Sequence, residues 1–401
     1  MTIVQINATN FGSTGKIMLQ LAEVARSQGH TVYTFSSSRK AVEREDEYHR
    51  FIDNQLDYNM HMVAGMVTGY EMSFSYMATK RLIRYLDQIS PDIVHLHNTH
   101  GFYLNHSLLF QYLKKKNVKI VWTLHDCWTF TGRCPYFQLT GCNQWLSGCK
   151  KCIYDKKNYP ASYFFDRSKS QWKKKQKLFA SLEELTLVTP SRWLASLVKE
   201  SFLKSYPVHT IPNGIDLSVF TPTQSNFRKK YNCRDKFIVL GVAACWGNRK
   251  GLDVFIELAK RLDNEKFCIV LVGTNSDTDK LLPENIISIH RTQNQQELAE
   301  IYTAADLFVN PTREDNYPTV NMEAIACGTP VLTFRTGGSP EMLDKTCGSV
   351  VACDDINAME QEIYRIAENR PYSSNACLEK ALEFSKQARF MEYIQLYENF
   401  C

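Results

Sequence analysis

Short apolar runs and helix-spaced apolar positions alternate along the chain. Residues 3–6 form a run rich in branched side chains, followed by a glycine turn from Gly12 to Gly15 (GSTG). Ile17, Leu21 and Val24 then recur at i, i+4 and i+7 until Gly29, the spacing of one helix face with a glycine stop. Residues 32–35, 93–96 and 120–124 read as the next strands, with 185–188 a further candidate. Beyond about residue 205 the pattern restarts, with runs at 237–242, 268–272, 307–309 and 331–334. Helical spacings such as Leu298, Ile301, Tyr302 and Ala305 separate them.

Strands alternating with helices twice over predict an α/β protein of two doubly wound, parallel-sheet, Rossmann-like domains. Apolar strands without polar alternation suit sheets covered on both faces. The junction is expected within residues 201–212, giving domains 1–205 and 206–383. A last helix, 384–401, carries Phe390, Ile394 and Tyr397 on one face and is expected to pack back on the first domain. Two such domains facing a cleft would bind ligands at the carboxyl ends of their strands.

Composition narrows the function. At 401 residues the chain can bury two cores. A net charge of +5 suits anionic substrates or a membrane surface and argues against a nucleic-acid partner. No export or import signal is legible in MTIVQINATNFG, and no stretch approaches the roughly 18 apolar residues of a membrane span. The expected location is cytoplasmic, at the inner face of the membrane if the acceptor is lipid-linked. In that compartment the 13 cysteines are expected to remain thiols, several of them, such as Cys268 and Cys327, as small buried apolar residues.

Four segments carry candidate chemistry. GSTGK is not a phosphate loop of the NTPase kind, because Asn10 and Ile17 occupy the required glycine and hydroxyl positions. It is a glycine turn feeding a helix start, where free N–H groups favour anions. DIVHLHN (92–98) and TLHD (123–126) place polar residues just past apolar strands. His95 there reads as structural and His125 as facing the ligand rim. WGNRKG (246–251) sets Arg249 and Lys250 after a strand, suited to a diphosphate. PTREDNYPTVNMEAIACGTP (311–330) combines Glu314, Asp315 and Asn316 with a helix start near Thr319 that carries Glu323. A carboxylate held there can accept hydrogen bonds from a ribose diol, while the helix start offers N–H groups to sugar or phosphate.

Together with PDIVHLHN, TPSRWLA (189–195) and IPNGID (211–216), these segments resemble the large retaining glycosyltransferase family of GT-B fold, family 4-like, which includes bacterial polysaccharide-assembly enzymes. The resemblance spans almost the whole chain. It implies transfer of a sugar from a nucleoside diphosphate sugar to a hydroxyl of a glycan, with retention at the anomeric carbon and no metal cofactor. By position it implies that Glu323 binds the ribose, Lys250 the diphosphate, and Gly15 lets backbone approach the donor. His125 would sit beside the transferred sugar, with the backbone of Asn316, Tyr317 and Pro318 against it. Asp315, at Asp-x7-Glu spacing from Glu323, or its neighbour Glu314 would face the sugar. The family's usual arginine position is Ala244 here, so Arg249 would substitute. The rivals are another GT-B reaction, such as a nucleotide-sugar epimerase or a phosphorylase, and a non-catalytic sugar-nucleotide binding protein.

Two features lie outside that resemblance. Cys134, Cys142, Cys149 and Cys152 are spaced C-x7-C-x6-C-x2-C, which fits a structural zinc site, with scattered thiols or disulfides as the alternatives. Residues 163–179 mix Phe164, Phe165 and Trp172 with Lys173, Lys174, Lys175 and Lys177. They read as an amphipathic stretch for an anionic membrane or as a solvated helix face.

Overall fold

The computed structural model describes residues 1–38, 45–154 and 156–400. It divides into two compact units, Met1–Pro212 with Arg389–Cys401, and Asn213–Ala388.

Unit 1 holds a seven-stranded sheet of β1 (Thr2–Ile6), β2 (Thr31–Ser36), β3 (His49–Phe51), β4 (Ile93–Leu96), β5 (Lys119–Thr123), β6 (Leu185–Thr189) and β7 (Val208–Thr210). The order is β3-β2-β1-β4-β5-β6-β7, and every pairing is parallel. The inner strands are buried on both faces because helices cover them. One face holds Val4, Phe110, Trp122 and Phe179. The other holds Ile3, Leu21, Val121 and Val188 together with Phe390, Ile394 and Tyr397 of the helix Lys386–Glu398.

Unit 2 holds β8 (Phe237–Val242), β9 (Phe267–Val272), β10 (Ile286–Ile289), β11 (Leu307–Asn310), β12 (Val331–Phe334) and β13 (Gly348–Val351). The order is β10-β9-β8-β11-β12-β13, again all parallel. Each sheet has one point where the winding reverses, β1/β4 in unit 1 and β8/β11 in unit 2. The carboxyl ends of the strands at such a reversal are the place where doubly wound sheets bind ligands.

The nine strands read from sequence are all present, within a residue or two of their predicted limits. The four that sequence missed, β3, β7, β10 and β13, are the edges of the two sheets. No helix among the described residues is long and apolar enough to cross a membrane.

Candidate functional site

In unit 2, two loops flank the β8/β11 reversal. The first turns after β8 through the short helix Asn248–Lys250, which presents Arg249 and Lys250. The second runs from Pro311 to Pro318 after β11 and starts the helix Thr319–Ala326. Arg313 ties them together. Its guanidinium donates to both Asp253 carboxylate oxygens at 2.8 and 2.6 Å, to Asp354 at 2.6 Å and to the Asn248 side chain at 2.6 Å. A planar five-donor fork can satisfy so many acceptors at once, which a lysine could not. The backbone completes the tie, since Arg313 N–H donates to the Arg249 carbonyl at 2.9 Å.

The predicted donor-binding residues other than Gly15 lie on these two loops and the helix that follows. Lys250 Nζ pairs with Asp315 Oδ2 at 2.5 Å. Burial pushes the Asp315 carboxyl up, but Lys250, Arg249 and the Asn316 N–H outweigh it and hold it below the usual carboxylate range. Asp315 is therefore ionised at neutral pH, and a diphosphate approaching Lys250 meets an ammonium already paired. Of the two acids left open by spacing, Glu314 is wholly buried, while the Asp315 side chain keeps a partly open edge. Arg249 donates to the Glu314 carbonyl at 2.9 Å, so in this structure it braces the second loop. Asn316 and Tyr317 are buried, and Pro318 caps the helix with extended backbone. The leading N–H groups of that helix have no carbonyl one turn behind them. Glu323, half-buried on the same helix, accepts from the Tyr302 hydroxyl at 3.1 Å, which fixes one carboxylate oxygen.

A segment that sequence reading passed over closes this site. Gly337 has φ of 55°, and a Cβ there would overlap the Asp315 carbonyl oxygen. Gly338 N–H donates to the Asn316 carbonyl at 2.6 Å. The Gly-Gly pair after β12 was the available signal, since paired glycines mark tight backbone approach. Arg313 and Tyr302 had no comparable signal.

In unit 1 the β1/β4 reversal is bridged by Asn7, whose Oδ1 accepts Asn98 N–H at 3.0 Å. Gly15 lies in the helix Gly12–Ser27, where a Cβ would meet the Asn10 carbonyl carbon at 2.7 Å. Packing of the helix start on its own turn thus requires this glycine whatever ligand approaches. His125 follows β5 and is buried to 8% exposure. Its Nε2 lies 3.1 Å from His97 Nδ1, and His97 Nε2 lies 3.2 Å from Gln5 Oε1. Burial lowers His125 to about 4 and His97 well below its ordinary value. Two neutral rings therefore share one N–H, and the pair orients His125. His95 is structural, bonded to the Tyr397 hydroxyl at 2.6 Å and to Thr123 at 2.8 Å.

Beside them, His100 Nε2 meets Asp126 Oδ2 at 2.9 Å, and its Nδ1 meets the Tyr159 hydroxyl at 2.7 Å. Burial opposes charge on His100, yet the Asp126 carboxylate outweighs it and raises the ring's pKa. Glu71 braces this corner by accepting Trp128 Nε1–H at 3.0 Å and Gly101 N–H at 3.2 Å. Neither His100 nor Glu71 was singled out from sequence.

Two further expectations fall on unit 1. Cys134, Cys142, Cys149 and Cys152 do line one small cavity, together with Gly132 and Tyr154. None of the four is in a disulfide, and among the described residues no group of three or more His, Cys, Asp or Glu is placed to hold a metal ion. Spacing brings the cysteines to one loop, but the backbone of that loop decides whether the sulfurs converge. Within the stretch 163–179, Phe164, Phe165, Lys173 and Lys177 are exposed, but Trp172 and Lys175 are not part of that surface. In the helix Ser168–Phe179, Trp172 and Phe179 are buried, and Lys175 turns inward to donate to the carbonyls of Trp128 at 2.5 Å and Thr131 at 3.1 Å. Its ammonium lies 3.4 Å from the Trp128 ring centroid.

Two doubly wound parallel sheets, with cationic and carboxylate side chains gathered at the reversal point of the second, define a GT-B glycosyltransferase. The chain belongs to Glycosyltransferase Family 4, whose sequence pattern matches residues 14–219, just over half of its length; the Glycosyl transferases group 1 pattern matches residues 235–369. It is 26% identical over 332 residues to WcaC of Escherichia coli, a glycosyl transferase ascribed to colanic acid biosynthesis, covering 77% of this chain and 76% of that one. It is 29% identical over 189 residues to a GDP-mannose-dependent phosphatidylinositol monomannoside mannosyltransferase of Mycolicibacterium smegmatis, covering 42% of this chain and 49% of the relative. Among solved structures, sucrose-phosphate synthase of Thermosynechococcus elongatus superposes with a TM-score of 0.73 at 18% identity, over 99% of this chain and 98% of that one. Anabaena HepE in complex with UDP superposes with 0.70 at 13% identity over the whole of both chains.

Proposed function

We propose that the enzyme moves a sugar from a nucleoside diphosphate sugar to a hydroxyl of a growing, lipid-linked surface polysaccharide, with retention at the anomeric carbon. The bond from the anomeric carbon to the diphosphate oxygen breaks, a bond to the acceptor oxygen forms on the same face, and the nucleoside diphosphate departs. The acceptor hydroxyl's proton leaves with it or passes to solvent.

The observation that carries this reading is the grouping of Lys250, Asp315 and Glu323 around the β8/β11 reversal, with a helix start between them. In the proposed roles, Glu323 accepts the ribose hydroxyls, with Tyr302 holding its second oxygen. Lys250 and the start of the helix Thr319–Ala326 stabilise the leaving diphosphate without a divalent metal, as preorganised charge. Arg249 contributes field there while bracing the loop. Asp315 exchanges its bond to Lys250 for one to the sugar when the donor arrives. The backbone of Asn316, Tyr317 and Pro318 serves the sugar, and His125, neutral at physiological pH, offers it a hydrogen bond rather than a charge. The UDP in the HepE structure supports a nucleoside diphosphate as ligand class. The colanic acid assignment of WcaC supports an exopolysaccharide acceptor.

Glu323→Ala is expected to weaken donor binding about 10-fold or more, the loss of hydrogen bonds to a charged group. Lys250→Ala is expected to lower the transfer rate about 100-fold, the usual effect of removing one preorganised charge contact. Calorimetric titration with nucleotide sugars and product analysis check both. Undiminished donor affinity in Glu323→Ala, with the fold intact, defeats the assignment.

A further inference from the structure

The helix Gln55–Thr68 of unit 1 is inverted with respect to solvent at one stripe. Tyr58, His61 and Gly65 face inward. Leu56, Met60, Val63 and Val67 recur at intervals of four, three and four residues, so they share one outward face. A single exposed leucine needs no explanation, but a row of four large apolar side chains along one helix does.

A second apolar element adjoins the end of that row. Tyr163 N–H donates to the Met66 carbonyl at 2.9 Å, which anchors Tyr163, Phe164 and Phe165 against the last turn of the helix. All seven side chains are between 41% and 67% exposed. Gly69, just past the helix, is so close to Arg167, Ser162 and the Phe165 carbonyl that a Cβ would meet each within 2.9 Å. The aromatic tip is therefore packed in place rather than hanging free.

Cations frame the same surface. Arg167 lies over the Phe165 and Tyr70 rings at 5.0 and 4.9 Å, and its Nε–H points to the Thr68 carbonyl at 3.4 Å. From there the helix Ser168–Phe179 leads away with Lys169, Lys173 and Lys177 exposed on one side, while its other side is buried. Lys156 is held beside Ser162 by a backbone bond of 2.9 Å. Of the nearby acids, Asp166 has its oxygens taken by the Cys152 and Ser168 N–H groups, and Asp57 lies at the opposite end of the stripe.

We propose that this face of unit 1, the stripe Leu56–Met60–Val63–Val67 with the Tyr163–Phe165 tip and the lysine row beside it, docks on an anionic lipid surface. The apolar stripe and aromatic tip enter the boundary between headgroups and acyl chains, and the lysines meet lipid phosphates. Charge decides the occupant: a second copy of this chain would bring the same row of lysines against this one. The inference deepens the proposed lipid-linked acceptor, because it gives the enzyme a standing place on the surface where such an acceptor lies.

The test is co-sedimentation of the full chain with vesicles of phosphatidylglycerol and phosphatidylethanolamine, against vesicles of phosphatidylcholine alone. The protein is expected to sediment with the anionic vesicles and to be released by high salt. Met60→Glu with Val63→Glu should lower the bound fraction at least tenfold while leaving the thermal midpoint and donor affinity unchanged. Lys169→Glu with Lys173→Glu should weaken binding and flatten its salt dependence. Leu281→Glu, an exposed apolar position in unit 2, should change nothing. Absence of sedimentation with anionic vesicles overturns the proposal, as does a stripe variant that binds like the parent. So does a stripe variant that only dissociates a dimer in ultracentrifugation. Vesicle binding needs no donor, so failure here with transfer to a soluble acceptor intact removes the docking surface alone. Intact vesicle binding without any transfer removes the proposed activity alone.

Discussion

His100 and Asp126 show how a pair of residues can be read from surroundings rather than spacing. Buried alone, the imidazole would lose its proton more readily; facing Asp126 at 2.9 Å it keeps it. NMR titration is expected to place His100 above the ordinary histidine value in the parent and below it in Asp126→Asn, where burial acts without the carboxylate. A value unmoved by the substitution would show that the pair is not coupled. Gly337 supports a second prediction. With φ of 55° and the Asp315 carbonyl against its α-carbon, Gly337→Ala should cost on the order of 1–3 kcal/mol in denaturant unfolding and weaken donor binding by displacing Asp315. Gly12→Ala, also at positive φ but with open space around it, should cost only about 1 kcal/mol.

At the scale of elements, what could be read from the sequence followed burial. The inner strands are covered on both faces, so each is a mostly apolar run, and each was legible. The edge strands β3 (HRF), β7 (VHT) and β13 (GSVV) are polar or half-exposed and carry no such run. β10 (IISI) is interrupted by Ser288 and half-exposed over three of its four residues, so it too lacks a buried apolar run. The helix Lys386–Glu398 was legible as amphipathic, but its partners were not. Tyr397 reaches His95 across 302 positions of sequence, a pairing no local signal encodes. Tyr397→Phe should cost about 1–3 kcal/mol, because it leaves a buried imidazole nitrogen without a partner. Tyr397→Ala should cost about 3–5 kcal/mol through the added cavity. Equilibrium unfolding checks both, and a neutral Tyr397→Phe would reduce the helix to mere cover for the sheet.

For the whole molecule, histidine burial sets the response to acid. Nine of the ten histidines lie in unit 1, so an acid effect should be unequal between the units. Burial holds His61 and His125 at about 4 and His95 at about 3, while His97 and His106 lie well below the ordinary value. The unfolded chain takes up these protons near pH 6.5 and the native one does not. Stability is thus complete above about pH 6.5 and falls as pH drops toward 4, by up to about 1.4 kcal/mol per pH unit for each such ring. His100 opposes the trend with its raised pKa. Unfolding of unit 1 should become markedly easier between pH 7 and 5, with unit 2, whose one histidine is His290, nearly unchanged. Hydrogen exchange resolved by unit checks this, and equal acid sensitivity of the two units would refute it.

The sequence by itself determined the two-sheet architecture and marked the segments of the proposed site. Apolar runs of period-free burial, helix-spaced faces and glycine turns are local properties that survive any arrangement of neighbours. The residue types needed for a diphosphate and a ribose also lie within short segments, so Lys250, Asp315 and Glu323 could be named. Only the tertiary structure decided how such residues are placed: Glu314 inward and Asp315 on Lys250, Lys175 turned into the core, the four cysteines around one small cavity, and His125 oriented through His97 and Gln5. Each of these depends on which distant backbone comes to lie against the side chain, and burial and pairing then set its charge and direction. The apolar stripe at Leu56–Val67 illustrates the same limit. Its period was in the sequence, but that it faces solvent rather than a core is a property of what the rest of the chain leaves uncovered.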